Sequence, residues 1–140
     1  MEKSSDAVFM ARCQQLAEHA AAQGESPVGA LLVCGGKIIA AESEATRRLA
    51  AITAHAELLT LQAARQKLGR IDLSDCTLYS THEPCVMCAY AIRYHRVRRV
   101  VFMQPSSYLG GTSAVGSLLT TPHVPPTWAA PPEIEQWQPQ

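Results

Sequence analysis

Pro84-Cys85-Val86-Met87-Cys88 places two thiols one helical turn apart behind a proline, and Thr53-Ala54-His55-Ala56-Glu57 lies upstream. Proline suits the first position of a helix, where its missing N–H would have no partner anyway. Thr53 is a candidate N-cap for a helix over residues 54–68, with Leu58, Leu61, Ala64 and Leu68 at helical spacing and Gly69 as its end. A fold that accommodates both stretches must bring two helix starts to one point. Helix N-termini favour anionic thiolates, so this spacing has a mechanical reason. His55, Cys85 and Cys88 make the three-ligand set of a catalytic zinc centre, which leaves one position for water; structural zinc takes four protein ligands. Cys13, Cys34 and Cys76 lie in the first helix or in strands, without metal-type spacing; His19, His95 and His123 also lack such spacing and read as structural. Glu57, two residues past His55, is placed to take a proton from that water and pass it on.

The rest of the chain alternates. Residues 5–23 read as an amphipathic helix with Ser4 or Ser5 as its cap, Gly24 as its stop and Cys13 in the core. Two β-rich runs flank Gly35-Gly36, a hairpin signal, and the first is apolar throughout, as a buried central strand would be. Gly29 and Ala30 leave room either for a flat ligand against the backbone or for tight sheet packing. Residues 42–52 form a connecting loop carrying Arg47 and Arg48. Residues 76–81 and 97–103 read as strands on either side of the second ligand-bearing helix. Strands alternating with helices predict a partly parallel sheet with helices on both faces.

Residues 104–140 change character, with Gly110, Gly111 and five prolines between 122 and 132. No long helix is expected there; the tail could wrap the surface or cover a pocket mouth. With no internal repeat and 140 residues, the chain 1–140 is expected to be one domain. An apolar fraction of 47% with 17% charged residues places it among globular chains. No apolar run is long enough to span a membrane, and the polar, acid-bearing start does not read as a secretory signal, so the cytoplasm is expected. In such a reducing compartment, five cysteines are expected as metal ligands or buried thiols rather than disulfides.

Thr53-Ala54-His55-Ala56-Glu57 together with Glu83-Pro84-Cys85-Val86-Met87-Cys88-Ala89 resembles the cytidine deaminase-like superfamily. The second stretch looks most like the branch of tRNA adenosine deaminases, bacterial guanine deaminases and fungal cytosine deaminases, and Ser26-Pro27-Val28-Gly29-Ala30 resembles that branch's first strand. The resemblance covers residues 5–118. It implies an α/β class protein, a three-layer α/β/α fold with a five-stranded mixed sheet, zinc on His55, Cys85 and Cys88, catalysis by Glu57, and a homodimer with sites near the interface. It also implies that the N–H groups of Ala56 and Cys85 and the backbone of Ala30 face the heterocycle.

Two departures bear on substrate. Relatives carry an Asn in the loop before the ligand His; here Glu44 holds that place, or Glu42 or Ser43 if the loop length differs. A carboxylate would favour a substrate with N–H or amino donors; alternatively the loop is shifted and its glutamates are solvated. His82 either lines the pocket or packs beneath it.

Arg93, Arg96, Arg98 and Arg99 read as an RNA-facing patch or as a solvated helix end, the second being the expectation. Net charge is zero, with 12 basic and 12 acidic residues, and no Lys or Arg follows Arg99. Phosphate contacts supply much of nucleic-acid affinity, so the expected partner is a small amino-heterocycle, a nucleobase or nucleoside, and not a nucleic acid. Tyr108, Trp128 or Trp137 could stack on such a ring, and a tail carboxylate reaching it would be Glu133 or Glu135. The alternatives are adenosine-to-inosine deamination in tRNA and a non-catalytic zinc-stabilised interaction module.

Overall fold

Gly35 and Gly36 both hold positive φ, 60° and 78°, and turn β1 (Gly29–Cys34) into antiparallel β2 (Lys37–Ser43). Paired positive φ values match the right-handed twist of the flanking strands. The computed structural model describes residues 2–112 and 117–139, with side chains from Ser5 onward. The other elements are α1 (Glu2–Ala22), α2 (Ala56–Leu68), β3 (Cys76–His82), α3 (Val86–Tyr94), β4 (Arg99–Gln104) and β5 (Glu133–Gln136). Strand order is β2-β1-β3-β4-β5. β1 is antiparallel to both its neighbours, whereas β3, β4 and β5 run parallel.

Alternation along the strands divides the core. Leu32, Leu78 and Val100 face α2 and α3, meeting Leu61, Ala64, Ala89 and Ile92. Leu31, Tyr79 and Val101 face the other way, onto Met10 and Cys13 of α1. Successive strand residues point to opposite faces, so two apolar neighbours such as Leu31 and Leu32 require a helical layer on each side. The expected three-layer α/β/α arrangement around a five-stranded mixed sheet follows. Gly29 is small because α1 lies directly on it: a Cβ there would stand 2.4 Å from the Cys13 carbonyl oxygen and 2.5 Å from Leu16 Cβ. Tight packing, and not an approaching ligand, accounts for this glycine. Burial pushes the Cys13 thiol up to about 12, which makes it inert as a nucleophile.

Several expectations change. α1 starts at Glu2, so Ser5 lies inside the helix and not at its cap, while the Ser4 side chain is outside the described residues. Cys34 and Cys76 form a disulfide, against the expectation of free thiols or ligands. The β1–β3 register sets them directly opposite each other, with Cα atoms 4.5 Å apart, within bridging range. The fifth strand comes from the proline-rich tail, where Glu133–Gln136 pairs with Arg99–Phe102. Among the described residues no helix is long and apolar enough to cross a membrane.

The arginine cluster divides: Arg96 and Arg98 remain exposed, as a solvated helix end would be, whereas Arg93 and Arg99 are buried. Arg93 is 2% exposed, and its guanidinium donates to the carbonyls of Leu118, Thr121 and Ala129 at 2.9, 2.9 and 3.3 Å. Arg96 donates to the Thr127 carbonyl. Arg98 lies 3.9 Å from Glu133, and buried Arg99 reaches Glu135 at 3.2 Å. The cluster therefore seats the tail. Arg99 also makes two 2.9 Å bonds to Asp6 of α1, and the Tyr79 hydroxyl donates to the same carboxylate at 2.6 Å. Arg93→Met is expected to leave three carbonyls without donors and release the tail. Chymotryptic cleavage after Trp128 should accelerate by about tenfold or more, because cleavage follows the population of the locally opened state. Cleavage within about twofold of the parent chain would contradict this role.

Candidate active site

Both ligand stretches begin helices, but as caps. His55, with extended backbone at φ −67° and ψ 145°, is the N-cap of α2. Cys85, at φ −74° and ψ 178°, is the N-cap of α3. α2 thus starts two residues later than Thr53 as cap would require, and Pro84 precedes the cap instead of opening the helix. An N-cap residue is only half inside its helix, so its side chain can swing across the helix end. That brings His55 Nδ1 within 3.6 Å of Cys85 Sγ and 3.5 Å of Cys88 Sγ. All three donor atoms lie within 4.8 Å of one another. Zinc bonds of the usual lengths at a tetrahedral angle place a nitrogen and a sulfur about 3.6 Å apart, so the donor set fits zinc. The Cys85 thiol is drawn down to about 5 by a hydrogen bond from Cys88, with help from the Cys88 and Met87 N–H groups and His55, against the opposing effect of burial. That bond, with burial, pushes the Cys88 thiol up. Asp75 lies beside the other sulfur pair, but Cys34 and Cys76 are bonded to each other.

Glu57 stands in the first turn of α2 and is 4% exposed. One carboxylate oxygen accepts the Ser80 hydroxyl at 3.0 Å, and the other lies 3.9 Å from Cys88 Sγ. Burial raises its carboxyl to about 7, despite hydrogen bonds from its own backbone N–H and from Ser80. A buried acid near neutrality beside a metal-type cluster suits proton transfer. Ser80 was not singled out from the sequence, although alternation in β3 puts it on the same strand face as His82, two residues on.

Glu44 is buried at 8% exposure, so its loop is not shifted into solvent. Its Oε1 accepts the Ala56 N–H at 2.8 Å. The Ala56 N–H expected to face a ring is therefore already bonded. Burial raises the Glu44 carboxyl, and the Ala56 bond opposes it. The Cys85 N–H has no partner among the described residues. Ala30 is fully buried, and its carbonyl accepts the Thr60 hydroxyl at 3.2 Å, tying β1 to α2. The His82 ring is hydrogen-bonded to Thr81 Oγ1 at 2.9 Å and does not touch His55, Glu57 or the cysteines through any hydrogen bond. Burial lowers its pKa.

Glu83 was another residue without a sequence-based role. Its carboxylate, 3% exposed, accepts the N–H groups of Ser106 and Thr112 and the Thr112 hydroxyl. It thereby folds residues 105–112 back onto the α3 start, where Val86 N–H bonds the Leu109 carbonyl and Gly111 N–H the Pro84 carbonyl. Gly111 must be glycine, since a Cβ would meet the Pro84 oxygen at 2.9 Å and Leu119 at 2.8 Å. Tyr108 projects from this loop, 87% exposed. The other candidate stacking residues lie elsewhere. Trp128 packs against Tyr90 and Tyr94, with ring centroids 5.0 and 6.3 Å away, and Trp137 packs in the α1-side core. Glu133 and Glu135 pair with Arg98 and Arg99. No hydrogen bond joins described residues 117–139 to His55, Glu57, Cys85 or Cys88.

Residues 3–104 match the family described as the cytidine and deoxycytidylate deaminase zinc-binding region. A tRNA-specific adenosine deaminase of Aquifex aeolicus is 39% identical over 76% of this chain and 70% of its own length. A structure solved in a study of A-to-I editing by tRNA:A34 deaminases superposes with a TM-score of 0.84 at 33% identity, covering 93% of this chain and 92% of the other. The guanine deaminase of Bacillus subtilis gives 0.68 at 35% identity, over 70% and 63%. These likenesses overturn the expectation that nucleic acid is not a partner. That expectation rested on zero net charge and a tail without Lys or Arg, and net charge does not report the local field at a site mouth.

Proposed function

This chain belongs to the cytidine and deoxycytidylate deaminase zinc-binding family, in the branch that includes the tRNA adenosine deaminases, and from that premise we propose that it converts adenosine to inosine in a tRNA. At the coarser level it is a zinc-dependent hydrolytic deaminase. The observation that carries the tRNA reading is the superposition over nearly the whole of both chains at a TM-score of 0.84.

In this reading His55, Cys85 and Cys88 hold the zinc. The chemistry zinc supplies when bound is activation of water near neutral pH. Glu57 takes a proton from the attacking water, delivers it to the ring nitrogen beside the reacting carbon, and later protonates the departing amine. The balance is amine plus water to carbonyl plus ammonia. Ser80 holds the Glu57 carboxylate in one orientation. Between Glu44 and His55, the loop exposes Arg47 and Arg48, while the Glu25 carboxylate fixes their backbone N–H groups at 2.9 and 2.7 Å. Two exposed arginines on a backbone anchored in this loop suit phosphate oxygens, which position a nucleic acid without reading its sequence.

The test is inosine formation in a tRNA anticodon stem–loop, run beside a panel of free bases and nucleosides. Inosine in the RNA without free-base turnover supports the reading. Turnover of guanine or another free base, with none in RNA, would replace it with the free-heterocycle reading.

The active form we assign is a homodimer of single-domain chains. Val86, Tyr90 and Tyr94 lie four residues apart along α3 and are 41%, 54% and 46% exposed, an apolar stripe beside the cysteines. Such contiguous exposure is characteristic of interaction surfaces. Light scattering is expected to give twice the mass of one chain, and Tyr90→Glu to return it to a single chain's mass. A parent chain of single mass at micromolar concentration would exclude the dimer.

A further inference from the structure

Residues 45–71 carry Arg47, Arg48, Arg65, Lys67 and Arg70 against a single acid, Glu57, and that acid is buried. The chain as a whole is neutral, so its charge is segregated, and a charged partner meets the local surplus and not the net value. These cations are not equally answered. Arg47 and Arg48 lie beside the Glu25 carboxylate, which accepts their backbone N–H groups. Arg70 pairs with Asp75 at 2.9 Å. Arg65 makes no ion pair among the described residues. It stands on the outward face of α2, where Gln62, Arg65, Gln66 and Gly69 are exposed at helical spacing. Together with Arg70 these residues line one open groove, and no carboxylate lines it. Guanidiniums only donate, and the amides of Gln62 and Gln66 add further N–H donors. Such a lining suits phosphate oxygens.

We propose that the outward face of α2 is a remote docking surface for the RNA backbone, with Arg65 as its phosphate contact. α2 is capped by His55 and rises about 1.5 Å per residue, so Arg65 lies about 15 Å along the axis from the zinc-ligand end. A free base or nucleoside held at the zinc centre does not extend that far. The backbone of an RNA whose target nucleotide sits there spans the distance within a few nucleotides. The surface therefore adds hold on a polynucleotide without touching the reacting ring. It rests on the tRNA reading of the site. Arg65 also lies in the last turn of α2, where a cation complements the helix dipole. That role alone would affect stability and leave RNA affinity unchanged.

The test is inosine formation in an anticodon stem–loop by the zinc-loaded chain, followed as kcat and KM over a series of salt concentrations. Arg65→Glu is expected to raise KM about tenfold or more with kcat within about twofold, the signature of lost uniform binding. The slope of log kcat/KM against log salt is expected to become shallower by about one, as for one lost phosphate contact. Arg65→Lys keeps the charge and should stay within about threefold of the parent. Arg12, exposed on α1 across the sheet, is the control for overall charge, and Arg12→Glu should leave KM within about twofold. Thermal unfolding identifies a folding defect, in which case Arg65→Gln is read for the same change in slope. A KM within about twofold and an unchanged slope, in a chain whose parent forms inosine, overturn the proposal and leave the tRNA reading standing. A face kept for an acidic protein would give that same unchanged result. Arg12→Glu matching Arg65→Glu would also overturn it, since net charge alone would then explain the effect. If the parent forms no inosine in the stem–loop, the tRNA reading falls and this surface falls with it.

Discussion

Glu57→Gln is expected to lower kcat for deamination by about 10²- to 10⁴-fold, with zinc content unchanged. The two readouts separate a proton carrier from a ligand. Glu57 lies 3.9 Å from Cys88, but one of its oxygens is held by Ser80 at 3.0 Å. The amide of glutamine can keep the Ser80 bond and the shape of the site, so zinc should still bind through His55, Cys85 and Cys88. It cannot accept a proton from water at neutral pH. An unaltered fold with one zinc per chain and kcat within tenfold of the parent would remove Glu57 from the mechanism. Loss of zinc together with activity would instead make it part of the metal centre.

The second large effect lies far from the chemistry. Asp6→Ala is expected to cost about 3–5 kcal/mol of stability, because it leaves a buried guanidinium without its main partner. Asp6 and Arg99 are 1% and 0% exposed, and two 2.9 Å bonds join them. The Tyr79 hydroxyl loses its 2.6 Å acceptor in the same step. Arg99 keeps Glu135 at 3.2 Å, but that partner is less deeply buried. Urea unfolding is the measurement, with the midpoint falling and the slope unchanged. A loss below about 1 kcal/mol would show that Glu135 alone satisfies the guanidinium. Asp6→Leu combined with Arg99→Met should be less damaging than Asp6→Ala, because removing both charges avoids the uncompensated one.

The chemistry was legible because it is local. Cys85 and Cys88 are one helical turn apart, and His55 and Glu57 share the start of another helix, so their spacing survives any detail of the fold. The layer order was legible too, through strands alternating with helices and a first strand apolar throughout. The partners of the charged groups were not legible. The arginines at 93, 96, 98 and 99 read as solvated because a helix end usually is. Their partners are carbonyls and carboxylates in the tail and, for Arg99, Asp6 of α1, and no local pattern announces those. Glu133 and Glu135 read as candidates to reach a substrate, yet they sit in a fifth strand whose four residues are too few for a periodic signal.

The residue types and spacings by themselves determined that two helix starts would present two sulfurs, an imidazole and a carboxylate to one point, and the resemblance those motifs carry implied the class of reaction. Only the tertiary structure decided that His55 and Cys85 are caps, that Ser80 orients Glu57, that Glu83 gathers residues 105–112, and that Glu44 is buried against the Ala56 N–H. The roles of Ser80, Glu83 and Glu44 each depend on a hydrogen bond between residues distant in the chain, such as Ser80 to Glu57 or Glu44 to Ala56. Local spacing is set by covalent geometry and helical pitch, whereas a long-range hydrogen bond exists only once the sheet register and helix packing bring its partners to within about 3 Å.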